Sequence, residues 1–76
     1  MYFPRLRDLR EDKEMTQEEV ATILGIQQTV YSRYERGFQT IPLERLIKLA
    51  DLYGTSVDYL IGRTNNPEPY GKKRTK

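Results

Sequence analysis

Apolar residues recur along this chain at helical intervals and nowhere alternate cleanly with period two. Leu6 and Leu9 stand three apart in a charged segment, which predicts a first helix over residues 4–13, with Pro4 tolerated in its first turn. Glu14 and Met15 make the connection, Met15 dropping into the core. The second helix runs over about 17–24 and buries Val20, Ala21 and Leu24. Thr16 followed three residues later by Glu19 is a capping box at its start. A third helix, about 28–36, closes at Gly37, and a short loop leads to Pro42, placed to open a fourth. On that helix Leu43, Leu46, Ile47, Ala50 and Tyr53 recur before Gly54, and Glu44 suits the positive end of the helix dipole. Ser56 caps a short fifth helix carrying Val57, Leu60 and Ile61, stopped by Gly62. The expectation is a compact all-α domain of five helices.

Gly25 sets the geometry of the centre. It separates the second and third helices after about two turns, and a glycine there lets the backbone reverse at positive φ without a Cβ penalty. The two helices then cross steeply, an arrangement that can push one helix into a groove of duplex DNA while the other braces on the backbone. Val20, Leu24, Ile26, Tyr31 and Tyr34 form the apolar side of this pair, and Ala21 must be small where the third helix crosses it. Tyr31 and Tyr34 are core residues with a polar tip, each needing a hydrogen-bond partner or an outlet to solvent. The other side of the third helix presents Gln28, Thr29, Ser32, Arg33 and Arg36 as a polar stripe.

Composition narrows the classes. At 76 residues the chain is one small domain, near the lower limit for folding on a hydrophobic core alone. It has neither cysteine nor histidine, so no disulfide, no thiolate or imidazole metal site and no histidine base is available. That is compatible with a reducing cytoplasm, and the reading expects no metal, no cofactor and no catalytic residues. No apolar run approaches the ~20 residues of a membrane span, and the start of the chain does not read as a signal peptide. The net charge of +2 is unevenly spread. Residues 63–76 carry five basic residues against Glu68 alone, leaving the first 62 with eight basic and ten acidic residues. Affinity for nucleic acid must then come from charges gathered on one face. From residue 64 onward, two prolines, a glycine and almost nothing to bury read as a flexible basic tail, residues 64–76, after a domain of residues 1–63.

In this order and spacing, Thr16-Gln17-Glu18-Glu19, Ala21, Gly25-Ile26, Ser32-Arg33, Glu35-Arg36-Gly37, Pro42-Leu43 and residues 56–60 resemble the Cro/repressor type of helix-turn-helix DNA-binding domain, the xenobiotic-response-element family of bacteria and phages. The resemblance covers roughly residues 6–63 and implies a lambda-repressor-like fold with its helix-turn-helix unit at about 17–36. It implies a sequence-specific regulator of transcription, a repressor more readily than an activator, that reads the major groove of double-stranded DNA with the third helix. By that resemblance Gln28, Thr29, Ser32 and Arg33 face base edges, Arg33 reaching either guanine or a phosphate. Gln28 carries the sharpest chemistry, since its amide can bond adenine bidentately. Gln17 resembles the family's phosphate-clamping glutamine at the positive end of the second helix, with Arg10 and Arg36 as further phosphate contacts. Arg10 and Glu35 resemble an ion pair tying the first helix to the end of the third, and Ala21, Gly25 and Glu35 hold the motif together. Gln27 departs from the family's Ser or Thr cap, leaving either a poorer cap or another side chain turned toward DNA. The loop 38–41 lacks the basic residues that often grip the backbone there.

The family usually acts as two-fold dimers on palindromic operators, so a homodimer on DNA is implied. Tyr59 and Ile61 with Tyr2 and Phe3 are candidates for a modest self-association patch, or Tyr2 and Phe3 simply cover the core. The basic residues 72–76 either add sequence-independent phosphate contacts or merely solubilise. Many relatives carry a further C-terminal domain, so the chain is expected to be either a minimal regulator or a fragment. The alternative reading is a protein-binding module on the same fold, an antitoxin or adaptor with a protein partner, which the acidic balance of residues 1–62 favours. An enzyme is disfavoured because the polar stripe offers no nucleophile with a partner and no phosphate-cradling glycine loop. Single-stranded nucleic acid binding is disfavoured because Tyr31, Tyr34 and Tyr53 fall on apolar faces.

Overall fold

The computed structural model describes residues 2–69. The basic run 72–76 lies outside them. Five helices follow one another: α1 (Pro4–Asp12), α2 (Gln17–Leu24), α3 (Gln28–Arg36), α4 (Leu43–Tyr53) and α5 (Val57–Leu60). Among the described residues there is no strand. The boundaries follow local chemistry. Thr16 accepts from the Glu19 amide while the Glu19 carboxylate accepts from the Thr16 amide, closing the capping box at α2. Ser56 accepts from the Tyr59 amide at the start of α5.

All five helix ends share one closure. At α2 the Ile26 amide returns to the Ala21 carbonyl at 3.0 Å and Gly25 to Thr22 at 3.1 Å, with Gly25 left-handed at φ 74°. The same pair of bonds ends α3 at Gly37, α4 at Gly54 and α5 at Gly62. The turn after α1 also takes it, but with Glu14 at φ 57°, the one non-glycine residue with positive φ among those described. The sequence placed this connection at Glu14 and Met15 but not its left-handed residue, because that position holds a charged side chain where glycine is the usual choice.

The core collects Leu6, Val20, Ala21, Leu24, Tyr31, Tyr34, Ile41, Leu49, Ala50, Tyr53 and Leu60, with Met15, Ile26 and Leu46 packed against it. The face of α4 differs from the expected one. Leu43 and Ile47 are 65% and 46% exposed, whereas Leu49 is fully buried. Positions 46, 49, 50 and 53 form the inward stripe, and α4 carries enough apolar residues for two overlapping stripes to fit one helical period. At the chain ends, Phe3 and Ile61 pack on the core and Tyr59 is half-buried, leaving Tyr2 as the exposed member of the expected patch.

Residues 64–69 stay attached to the body. Arg5 donates to the carbonyls of Tyr59 and Thr64 and to the Asn65 side chain, at 2.7–2.8 Å, with its guanidinium 4.0 Å from the centre of the Tyr59 ring. Thr55 donates to the Pro67 carbonyl at 2.6 Å. Polar backbone contacts hold this segment, and apolar patterning has no means of revealing them.

Nothing lies within 4 Å of a Cβ built on Gly25, so Gly25→Ala isolates the backbone cost of positive φ. It should destabilise by about 1–2 kcal/mol, and Glu14→Gly should relieve strain of the same origin. Urea denaturation at equal pH checks both, and an unchanged midpoint for Gly25→Ala would contradict the strain assignment.

Candidate nucleic-acid interface

The outer side of α3 is free of core packing. Gln28, Thr29, Arg33 and Arg36 are exposed and Ser32 is half-buried, while Tyr31, Tyr34 and Glu35 on the opposite side are buried. Gln27 precedes the helix, exposed, and makes no capping bond with its side chain. Ala21, 2% exposed, lies in α2 where that helix packs on α3. Arg36 ends the stripe with its guanidinium 5.0 Å from the centre of the exposed Phe38 ring. The geometry thus gathers the proposed base-facing residues on one rigid, solvent-facing strip.

Beside this strip, α1, α2 and α3 meet around one carboxylate. Arg10 grips Glu35 through two nitrogens, Nε at 2.6 Å and Nη2 at 3.1 Å, and donates Nη1 to the Met15 carbonyl at 2.9 Å. The side chains are 12% and 3% exposed, so the pair is largely out of water. Gln17 donates its amide to the same carboxylate at 3.0 Å. A carboxylate can only accept, so the Gln17 nitrogen must face Glu35, and its second N–H points away. Gln17, Arg10, Glu35 and Arg36 line one recess together with Arg7 and Tyr2. Arg10 is paired with Glu35 and Arg7 with Glu11 at 2.9 Å, so the positive balance of that recess rests on Arg36. A second recess, between the α1–α2 turn and the outer part of α2, is acidic, lined by Glu14, Glu18 and Glu19 against Lys13.

Burial by itself would raise the Glu35 pKa, but hydrogen bonds from Arg10, Gln17 and Tyr31 outweigh it and hold the carboxyl below the usual range. The hydrogen bond to Glu35 in turn raises Arg10 further. Tyr31 and Tyr53 face each other with hydroxyl oxygens 3.0 Å apart, and burial pushes both phenols up. The Tyr34 hydroxyl accepts from Arg45 at 2.7 Å. Both core tyrosines expected to need a partner therefore find one inside the protein. Arg7 and the hydroxyl contact of Tyr53 escaped the sequence reading. Arg7 stands three residues before Arg10 on α1, a spacing that could have marked it; Tyr53 carried only the signal of an ordinary apolar position.

The fold and the exposed α3 strip define a helix-turn-helix domain. A family model described as Helix-turn-helix matches residues 6–60, and the chain belongs to that family, in its Cro/C1 type. It is 44% identical over 69 residues to the uncharacterized HTH-type transcriptional regulator YobD of Bacillus subtilis (strain 168), covering 91% of this chain and 62% of that protein. It is 39% identical over 61 residues to the cryptic phage CTXphi transcriptional repressor RstR of Vibrio cholerae, covering 80% of this chain and 55% of the repressor. The HTH-type transcriptional regulator AnsR of Bacillus subtilis (strain 168) is 41% identical over 63 residues, covering 83% of this chain and 54% of its own length. The chain thus spans between half and two thirds of the length of these curated relatives.

The Glu35 pKa is lower in the folded than in the unfolded chain. Its stabilisation is therefore full above the ordinary carboxylate value of about 4.3 and is lost as pH falls through the folded value. Glu35→Gln should cost about 3 kcal/mol at neutral pH, because it removes one charge of a buried pair. The gap to the wild type should close on acidification. Urea unfolding at stepped pH checks this, and a gap independent of pH would contradict it.

Proposed function

We propose that this domain is a sequence-specific, double-stranded DNA-binding regulator of transcription, working as a repressor by occluding a promoter. The observation that carries the reading is the exposed polar strip of α3, held rigidly by a buried opposite face. Gln28, Thr29, Ser32 and Arg33 address base edges in the major groove, with Gln27 beside them. Gln17 presents its outward N–H to a phosphate, with the recess arginines Arg10 and Arg36 supplying charge. Arg10 acts mainly by position, since three of its nitrogens already hold Glu35 and the Met15 carbonyl. The role calls for no cofactor and no catalysis, and no helix among the described residues is long and apolar enough to cross a membrane. A reducing cytoplasm is the compartment where such a regulator meets its DNA.

One module covers roughly 600–1,000 Å² on DNA, too little for tight specific binding alone. Two copies on a palindrome, with half-sites about 34 Å apart, supply the rest. The acidic balance of residues 1–62 and the exposed Ile23 keep one other reading open, an antitoxin or adaptor that meets a basic protein partner. Gel shift of the purified protein separates the two, since an autonomous regulator shifts duplex DNA with no partner present.

Selection from a random duplex pool should return a palindrome. On that sequence Gln28→Ala should relax discrimination at one base position by about 1–3 kcal/mol. Gln17→Ala should weaken all duplexes about equally without altering the salt dependence, because an amide releases no counterion. Arg36→Ala should flatten the log–log salt slope by about 0.9. Equal losses on every sequence for Gln28→Ala would remove it as a base reader.

A further inference from the structure

Glu35 is more than half of an ion pair. Its carboxylate takes two bonds from Arg10 and one from Gln17, and Tyr31 lies one turn before it on the same buried side of α3. The Tyr31 hydroxyl is in turn 3.0 Å from that of Tyr53 in α4. A carboxylate only accepts, so Tyr31 is placed to donate toward Glu35 while accepting from Tyr53. Among the described residues no buried side-chain nitrogen or oxygen lacks a partner. Tyr53, Tyr31 and Glu35 thus lie in series between α4 and the recess beside α3.

We propose that Tyr53, acting through Tyr31 and Glu35, is a positioning residue for the phosphate-binding edge of the recess. This rests on the function proposed above. With its remaining acceptor capacity filled from inside the core, the carboxylate stays aimed outward at Arg10 and Gln17. Gln17 is then fixed with its nitrogen inward on Glu35 and its second N–H outward. Remove the Tyr53 hydroxyl and Tyr31 is free to rotate its proton away. Glu35 then loses a donor, and the Gln17 amide loses its single orientation. Hydrogen-bond chains of this kind polarise one another, so loss at one end is felt at the other. A helix that touches no DNA thereby sets the grip of one that does.

The test compares Tyr53→Phe and Tyr31→Phe with Tyr34→Phe. All three remove one buried hydroxyl and keep the ring, but the Tyr34 hydroxyl partners Arg45 outside the chain. On the free protein, the Glu35 carboxyl titration and the Gln17 side-chain amide resonances are followed by NMR. Tyr53→Phe should raise the Glu35 midpoint and shift the Gln17 amide, and Tyr34→Phe should move neither. On a duplex selected by the wild type, Tyr53→Phe should weaken binding about three- to tenfold. It should produce no further loss when combined with Gln17→Ala. An unmoved Glu35 midpoint, or full additivity with Gln17→Ala, would overturn the proposal. The NMR readouts need no DNA, so they still decide the positioning claim if the wild type binds no duplex, a result that would count against the proposed function instead. Should Tyr53→Phe fail to fold, Tyr31→Phe carries the same readouts.

Discussion

A single buried carboxylate organises this domain. Glu35 accepts from α1 through Arg10 and from α2 through Gln17, and it sits on α3 beside the Tyr31–Tyr53 hydroxyl pair that reaches α4. Three of the five helices therefore meet at one charge, and the Tyr31–Tyr53 pair brings a fourth close behind it. Such a charge is costly to bury, and a paired ion in a protein interior often contributes little net stability against an apolar substitute. What it contributes here is geometry. Apolar packing tolerates small slides of helix on helix, whereas a two-nitrogen grip at 2.6 and 3.1 Å fixes α1 against α3 within a narrow range.

That constraint suits the base reading proposed for α3. Each bidentate contact is worth about 1–3 kcal/mol only when the side chain arrives in register with its base pair. The α3 strip is held from behind by Tyr31 and Tyr34, both fully buried, and from its ends by the left-handed closures at Gly25 and Gly37. Rigidity is built into the inner face so that the outer face can remain polar and uncommitted.

Much of this was legible in the amino-acid order. The capping box at Thr16 and Glu19, the reversal at Gly25 and the Arg10–Glu35 pairing follow from local rules or from family spacing, and the coordinates show all three. The inner face of α4 was not legible, because Leu43 and Ile47 compete with Leu49 for the same helical period and only tertiary packing decides between them. The Tyr31–Tyr53 contact was hidden for another reason. A tyrosine on an apolar stripe signals burial of its ring and gives no hint of where its hydroxyl ends, 22 positions away. The anchoring of residues 64–69 rests on backbone carbonyls bonded by Arg5 and Thr55, which no side-chain pattern encodes.

The outward strip of α3, with the recess beside it, is proposed as the surface that meets DNA. Titrating isotope-labelled protein with a selected duplex and following amide and side-chain resonances tests it most directly. The largest shifts should fall on residues 27–36 and on Gln17, with α4 and α5 responding weakly. Strong shifts confined to α4 or to the acidic recess around Glu18, with the α3 strip unmoved, would contradict it.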